Sequence, residues 1–115
     1  MPQHITRDAL KQLLDDGADI TVVEALGPVY YADAHIPGAI NIPHEEIAQL
    51  APSLLPDKDA LIVTYCASTP CRNSEIAARR LEALGYTNVR EYVEGKQDWV
   101  EAGLPVERGA AAQAA

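Results

Sequence analysis

No apolar run in this chain approaches the roughly 20 residues that a bilayer span needs. Its opening Met1-Pro2-Gln3-His4 also lacks the charged and apolar regions of a signal peptide. The expectation is a cytoplasmic protein without membrane contact. Basic charge is scarce: 9 Lys and Arg face 17 Asp and Glu, a formal net charge of -8. A sequence-independent grip on nucleic acid or anionic lipid therefore has no electrostatic basis, whereas partners with basic surfaces remain open. Only two cysteines occur, too few for a secreted disulfide framework; in a reducing compartment such a pair signals chemistry more often than architecture. Neither repeats nor linkers divide the chain. The one low-complexity stretch, residues 109–115, reads as a disordered Ala-rich tail, which leaves residues 1–108 as the expected domain. What is present suffices for one core: 115 residues, 48% of them hydrophobic, should bury roughly two-thirds of the surface of the unfolded chain without a stapling metal.

Strand and helix signals alternate. Thr6 is placed to cap a helix over residues 7–16, with Leu10, Leu13 and Leu14 at helical spacing and Gly17 beyond its end. The β-branched run Ile20 to Glu24 reads as a buried strand, and a Pro37-Gly38 turn leads to a short extended piece ending at Pro43. A helix is expected within residues 44–50, then a proline-punctuated loop over residues 52–56. Residues 60–65 form the most continuous apolar stretch; lacking strict alternation, they read as a central strand covered on both faces. Then come a helix capped by Asn73 or Ser74 and stopped at Gly85, a strand over residues 88–93, a turn at Gly95, and a closing helix over residues 96–102 around Trp99. This order predicts an α/β fold with a mostly parallel sheet and right-handed crossovers.

Ligands of open α/β sheets sit beyond the carboxyl ends of the strands, where Cys66 falls if its strand ends at Tyr65. The loop Ala67-Ser68-Thr69-Pro70-Cys71-Arg72 leads from it into a helix N-terminus. Free main-chain N–H groups and the positive end of the helix should face the sulfur. A thiol in such surroundings can have its pKa lowered to about 3.5–7.5 and act as a nucleophilic thiolate. Arg72 adds a cation that could pair with Glu24 or clamp an oxyanion. The competing reading makes Cys66 a small apolar residue closing a strand. Cys71 could form a disulfide with Cys66, exchange sulfur with it, or merely share its loop. A zinc site would have to recruit His35 or His44 to both thiols, in a spacing that matches no finger or ribbon, so neither metal nor cofactor is expected. His35, beside the Pro-Gly turn, is read as fixing that loop, and Trp99 as core packing. Tyr30 and Tyr31 are read as covering a crossover loop, and Arg79 and Arg80 as solvated charges.

Taken together, the segment from Ala34 through Pro43, the Tyr65-Cys66 strand end, the stretch from Leu84 to Val89, and Trp99 followed by Ala102-Gly103-Leu104-Pro105-Val106 resemble a single-domain rhodanese. The match runs from about residue 5 to about residue 107. The resemblance implies a three-layer domain with a five-stranded parallel sheet flanked by helices. It also implies a sulfurtransferase in which Cys66 takes a sulfane sulfur from a small anionic donor such as thiosulfate. The persulfide, held by loop N–H groups, would pass its sulfur to cyanide, a thiol or a protein acceptor. On this view Ala67, Ser68, Thr69, Cys71 and Arg72 bind substrate, with Glu24 and Cys71 accessory. Cys66 to Arg72 encloses five residues, one more than the family's usual loop. That is the length in related dual-specificity phosphatases and arsenate reductases, although Tyr65 stands where the phosphatases have histidine. The loop has no glycine, and Pro70 offers no N–H. Two alternatives therefore accompany the sulfurtransferase reading: phosphatase or arsenate-reductase chemistry, and a non-catalytic redox-sensing or binding module using Cys66 and Cys71.

Overall fold

A computed structural model describes residues 2–110. Five strands, β1 (Gln3–His4), β2 (Ile20–Glu24), β3 (Ile40–Asn41), β4 (Leu61–Tyr65) and β5 (Val89–Tyr92), alternate with helices α1 (Arg7–Asp15), α2 (Pro28–Asp33), α3 (Ile47–Leu54), α4 (Asn73–Ala83) and α5 (Gly95–Glu101). The sheet order is β1-β5-β4-β2-β3, and every pairing in it is parallel. β4 is central, as its apolar run predicts. Because strand side chains alternate between faces, Val23, Ile62 and Val89 pack on one side with α3 and α4 residues such as Ile47, Ala77 and Leu81. Val22, Val63, Tyr65 and Tyr92 pack on the other with Leu10, Tyr31 and Trp99. The three-layer α/β/α arrangement follows.

Local signals explain most boundaries. The Thr6 side chain accepts the Ala9 N–H at 3.1 Å and caps α1. Trp99 is buried and its Nε1 donates to the Pro105 carbonyl at 2.8 Å. Three expectations need correction. α3, entered through a 3-10 turn at His44–Glu46, runs through Pro52 to Leu54 where a loop was expected. Ile47, Ala51 and Leu55, four residues apart, are all buried, and that burial offsets the roughly 3 kcal/mol a helical proline costs. α2 was not anticipated; it begins with Pro28 at its first position, buries Tyr31 and leaves Tyr30 exposed, so only one of that pair covers the chain. Neither Asn73 nor Ser74 caps α4: Arg72 is its N-cap residue, without a side-chain hydrogen bond. The expected Ala-rich tail begins at Gly109. The Gly109 N–H still donates to the Ala32 carbonyl at 2.8 Å, and the remainder of that tail, residues 111–115, lies outside the described residues. Among the described residues, no helix is long and apolar enough to cross a membrane.

Candidate active site

The chain reverses its direction across the sheet between β2 and β4: β3 pairs on the far side of β2, while β5 and β1 extend beyond β4. Ligand crevices form at such switch points. Glu24 and Cys66 lie at the carboxyl ends of the two strands, joined by the Ala25 N–H to the Tyr65 carbonyl at 2.9 Å. Strand alternation nevertheless sends their side chains to opposite faces.

On the α4 face, Cys66 is fully buried. Its Sγ accepts the Ser74 N–H from the first turn of α4 at 3.4 Å and lies 3.4 Å from the Ser74 hydroxyl, to which the thiol donates. The Thr64 hydroxyl donates to the Ser74 carbonyl at 2.9 Å and ties that turn to β4. The Ser74 hydroxyl donates in turn to Glu91 at 2.7 Å. A helix N-terminus does therefore face the sulfur. Against the expected thiolate, burial, reinforced by the neighbouring Cys71 thiol, pushes the Cys66 thiol up to about 11, and the Ser74 contacts only partly oppose this.

α5 orients the loop. Lys96 N–H donates to the Cys66 carbonyl and Gln97 N–H to the Ala67 carbonyl, both at 2.8 Å. In trans peptides the N–H opposes the C=O, so the amides of Ala67 and Ser68 point away from α5. Gly95 permits the approach: its φ is +70°, and a Cβ there would lie 2.5 Å from the Cys66 carbonyl oxygen. Gly95 is expected from the sequence only as a turn; its place at the contact between loop and helix required the fold. Ala67 and Thr69 are exposed, Ser68 and Cys71 half-buried. Cys71 N–H closes the loop onto the Ser68 carbonyl at 3.0 Å. A cleft of about 260 Å³ opens along Ser68, Thr69 and Pro70 against Glu94, Asp98 and Glu101. Cys66 does not line it.

Of the two roles expected for Arg72, the pairing with Glu24 is corrected. Its guanidinium, three-quarters exposed, pairs with Glu75 at 3.0 Å instead of reaching Glu24. Glu24, completely buried on the α5 face, accepts the Tyr65 hydroxyl at 2.7 Å and the Lys96 ammonium at 3.0 Å. Burial raises its carboxyl above the usual carboxylate value, and those two contacts counteract part of the shift. It holds the scaffold on the face opposite the sulfur. Lys96, Ser74 and Glu91 were missed. A charged residue in phase with inward-facing Val89 was the available signal for Glu91.

His35 is structural as expected: its Nδ1 lies 2.7 Å from the Tyr31 carbonyl and its ring stacks on Tyr31 at 3.7 Å. Arg79 and Arg80 are exposed, bound respectively to Glu75 at 3.0 Å and to the His44 carbonyl at 2.7 Å. Among the described residues, no three His, Cys, Asp or Glu side chains are grouped to hold a metal ion.

Fold and site together define a cysteine-bearing α/β domain of the rhodanese type. The family described as Rhodanese-like domain matches residues 6–102, and the chain belongs to it. Curated relatives include the HTH-type transcriptional regulator Rv0324 of Mycobacterium tuberculosis, 38% identical over 92% of this chain and 45% of that protein. Another is YrkF of Bacillus subtilis, a proposed sulfur carrier protein, 30% identical over 83% of this chain and 49% of that one. The chain thus spans about half the length of these relatives. Among solved structures, the BH2092 protein of Bacillus halodurans superposes with a TM-score of 0.86 at 29% identity, over 98% of this chain and 82% of that one. A thiosulfate sulfurtransferase of Pseudomonas aeruginosa superposes with a TM-score of 0.85 at 25% identity, over 96% of this chain and 21% of that one.

Proposed function

We propose that this domain transfers sulfane sulfur through a persulfide on Cys66. The observation that carries this reading is the Cys66 sulfur at the sheet's switch point, on the Ser74 amide in the first turn of α4, beneath a loop whose Ala67 and Ser68 amides are turned away from α5. The likeness to a thiosulfate sulfurtransferase supports it. With thiosulfate as donor, the Cys66 thiolate attacks the sulfane sulfur, the new S–S bond forms as the sulfane–sulfite bond breaks, and sulfite leaves with the electron pair. Loop amides stabilise the persulfide anion. A thiolate or cyanide then takes the outer sulfur and returns Cys66. Because the sulfur is covered, the segment from Ala67 to Cys71 must yield to admit the donor. The test is incubation with thiosulfate followed by mass spectrometry. One added sulfur atom is expected on Cys66, with thiocyanate formation abolished in Cys66→Ser and reduced less in Cys71→Ser; an unmodified Cys66 overturns the proposal.

The presence of both free thiols on one short loop favours a second reading, a redox module in which mild oxidant joins Cys66 and Cys71. Two persistently free thiols after mild peroxide would remove it. The phosphatase and arsenate readings rest on the length of the loop, and Tyr65 stands where the phosphatases have histidine.

A further inference from the structure

The sulfur-transfer reading leaves one buried acid without a role, although that acid stands one hydrogen bond from the nucleophile's own partner. Glu91, in β5, is 5% exposed. It shares a sheet face with Cys66 because it is in phase with Val89, and its neighbour in β4 by register is Thr64. The Ser74 hydroxyl carries a single hydrogen and commits it to Glu91 Oε2 at 2.7 Å. An ionised carboxylate can only accept. The Ser74 oxygen is thereby left as an acceptor for the Cys66 thiol at 3.4 Å, while the Ser74 N–H approaches the same sulfur as a donor. On its other side, Glu91 Oε1 lies 3.6 Å from Nε2 of His4, whose side chain is two-thirds exposed on β1. The groups around this chain of contacts are the Cys66 and Cys71 thiols at the loop, the Ser74 hydroxyl from α4, the Thr64 hydroxyl from β4 and the His4 ring from β1.

We propose that Glu91, acting through Ser74, is the positioning residue that receives the Cys66 proton when the nucleophile is activated. The inference rests on the reading of Cys66 as the sulfur-accepting nucleophile. The step balances without any co-reactant. The S–H bond breaks and its proton passes to Ser74 Oγ; the original Ser74 O–H bond breaks and its proton passes to Glu91 Oε2; the electron pair stays on Cys66 Sγ. The negative charge moves from carboxylate to sulfur, and the charge of the buried group does not change. Activation therefore avoids creating a new charge in a desolvated place, which is the term that holds the isolated thiol protonated. After transfer, both the Ser74 hydroxyl and the Ser74 N–H donate to the thiolate. His4 joins Glu91 to solvent, and the reverse transfer restores the thiol once sulfur has left.

Glu91→Gln tests this. Glutamine keeps the shape and an acceptor oxygen for Ser74 but takes no proton. In a Cys71→Ser background, so that one thiol reports, Cys66 alkylation by iodoacetamide and Cys66 persulfide formation from thiosulfate are followed from about pH 6 to about pH 10. Both rates are expected to fall at least about tenfold near neutrality in Glu91→Gln and to recover in alkali, moving the pH profile upward. Ser74→Ala should do the same, and the double variant should be no slower than either single one. Glu91→Asp, which retains the carboxylate, should bring the profile back toward wild type and keeps the question open to measurement where the glutamine variant unfolds. An unmoved pH profile in Glu91→Gln and Ser74→Ala, whatever happens to stability, overturns the relay. Absence of any persulfide in wild type defeats the sulfur-transfer reading instead, and the alkylation profile still decides the relay.

Discussion

Two buried carboxylates lie near the carboxyl edge of this sheet, and they live in opposite circumstances. Glu24, on the α5 face, has an ammonium on one oxygen and a phenol on the other. Glu91, on the α4 face, has a serine hydroxyl on one oxygen and a largely exposed histidine near the other. The first is saturated by donors that fix β2, β4 and α5 relative to one another. The second has one short bond, which leads back to the nucleophile. A buried acid thus holds structure where its partners are complete, and has chemical capacity where its partner is itself a proton carrier.

Removing the saturated acid should have the largest effect. Glu24→Ala strips the Tyr65 hydroxyl and the Lys96 ammonium of their acceptor and leaves a void, so urea titration should show a loss of about 3–5 kcal/mol. Glu24→Gln should cost much less, since its amide oxygen still accepts from Tyr65 and Lys96 keeps the Tyr30 carbonyl at 2.8 Å. The pH dependence separates the two variants. The folded carboxyl of Glu24 lies above its unfolded value, so its contribution is fully present below the ordinary carboxylate range and is lost as pH rises through the raised folded value. Glu24→Gln should flatten that part of the stability curve.

Gly95→Ala comes next. It sets a Cβ 2.5 Å from the Cys66 carbonyl oxygen at a positive φ, so a loss of about 1–3 kcal/mol is expected, together with slower persulfide formation as the loop peptides are forced out of orientation. Thermal unfolding and mass spectrometry check the two effects. Thr64→Val, on the sulfur's own face, loses the donor to the Ser74 carbonyl. Helical geometry supplies that carbonyl with a ladder donor of its own, so the destabilisation should be only about 1 kcal/mol, measured by urea titration. The smallest effect concerns the mouth. Glu94, Asp98 and Glu101 border the cleft beside the loop and repel an anionic donor. The rate at low thiosulfate should rise roughly twofold as ionic strength goes from about 0.01 M to about 0.15 M, because the screening length shrinks from about 30 Å to about 8 Å.

Much of the scaffold was legible before any coordinates. The unbroken apolar run of β4, the cap at Thr6 and the alternation of element types are local signals, and each depends on residues adjacent in the chain. α2 and the extension of α3 through Pro52 were not legible, because in both a distant core decides: burial of Tyr31, Ala51 and Leu55 outweighs weak or contrary propensity. Cys66 was legible as a strand-end residue, whereas the destination of Arg72 was not, since Glu75, a turn away on the same helix, competes with every partner across the sheet.

The order of residues by itself determined which cysteine closes the central strand and that a helix N-terminus follows it, since both are matters of neighbouring positions and periodicity. Only tertiary structure decided the state of that sulfur. Burial and the neighbouring Cys71 thiol push it toward the protonated form, and a serine committed to a carboxylate from another strand opposes part of that shift; these act across space between groups that the chain separates. Electrostatic work in a desolvated interior depends on distance and enclosure, and neither can be read along a line of residues.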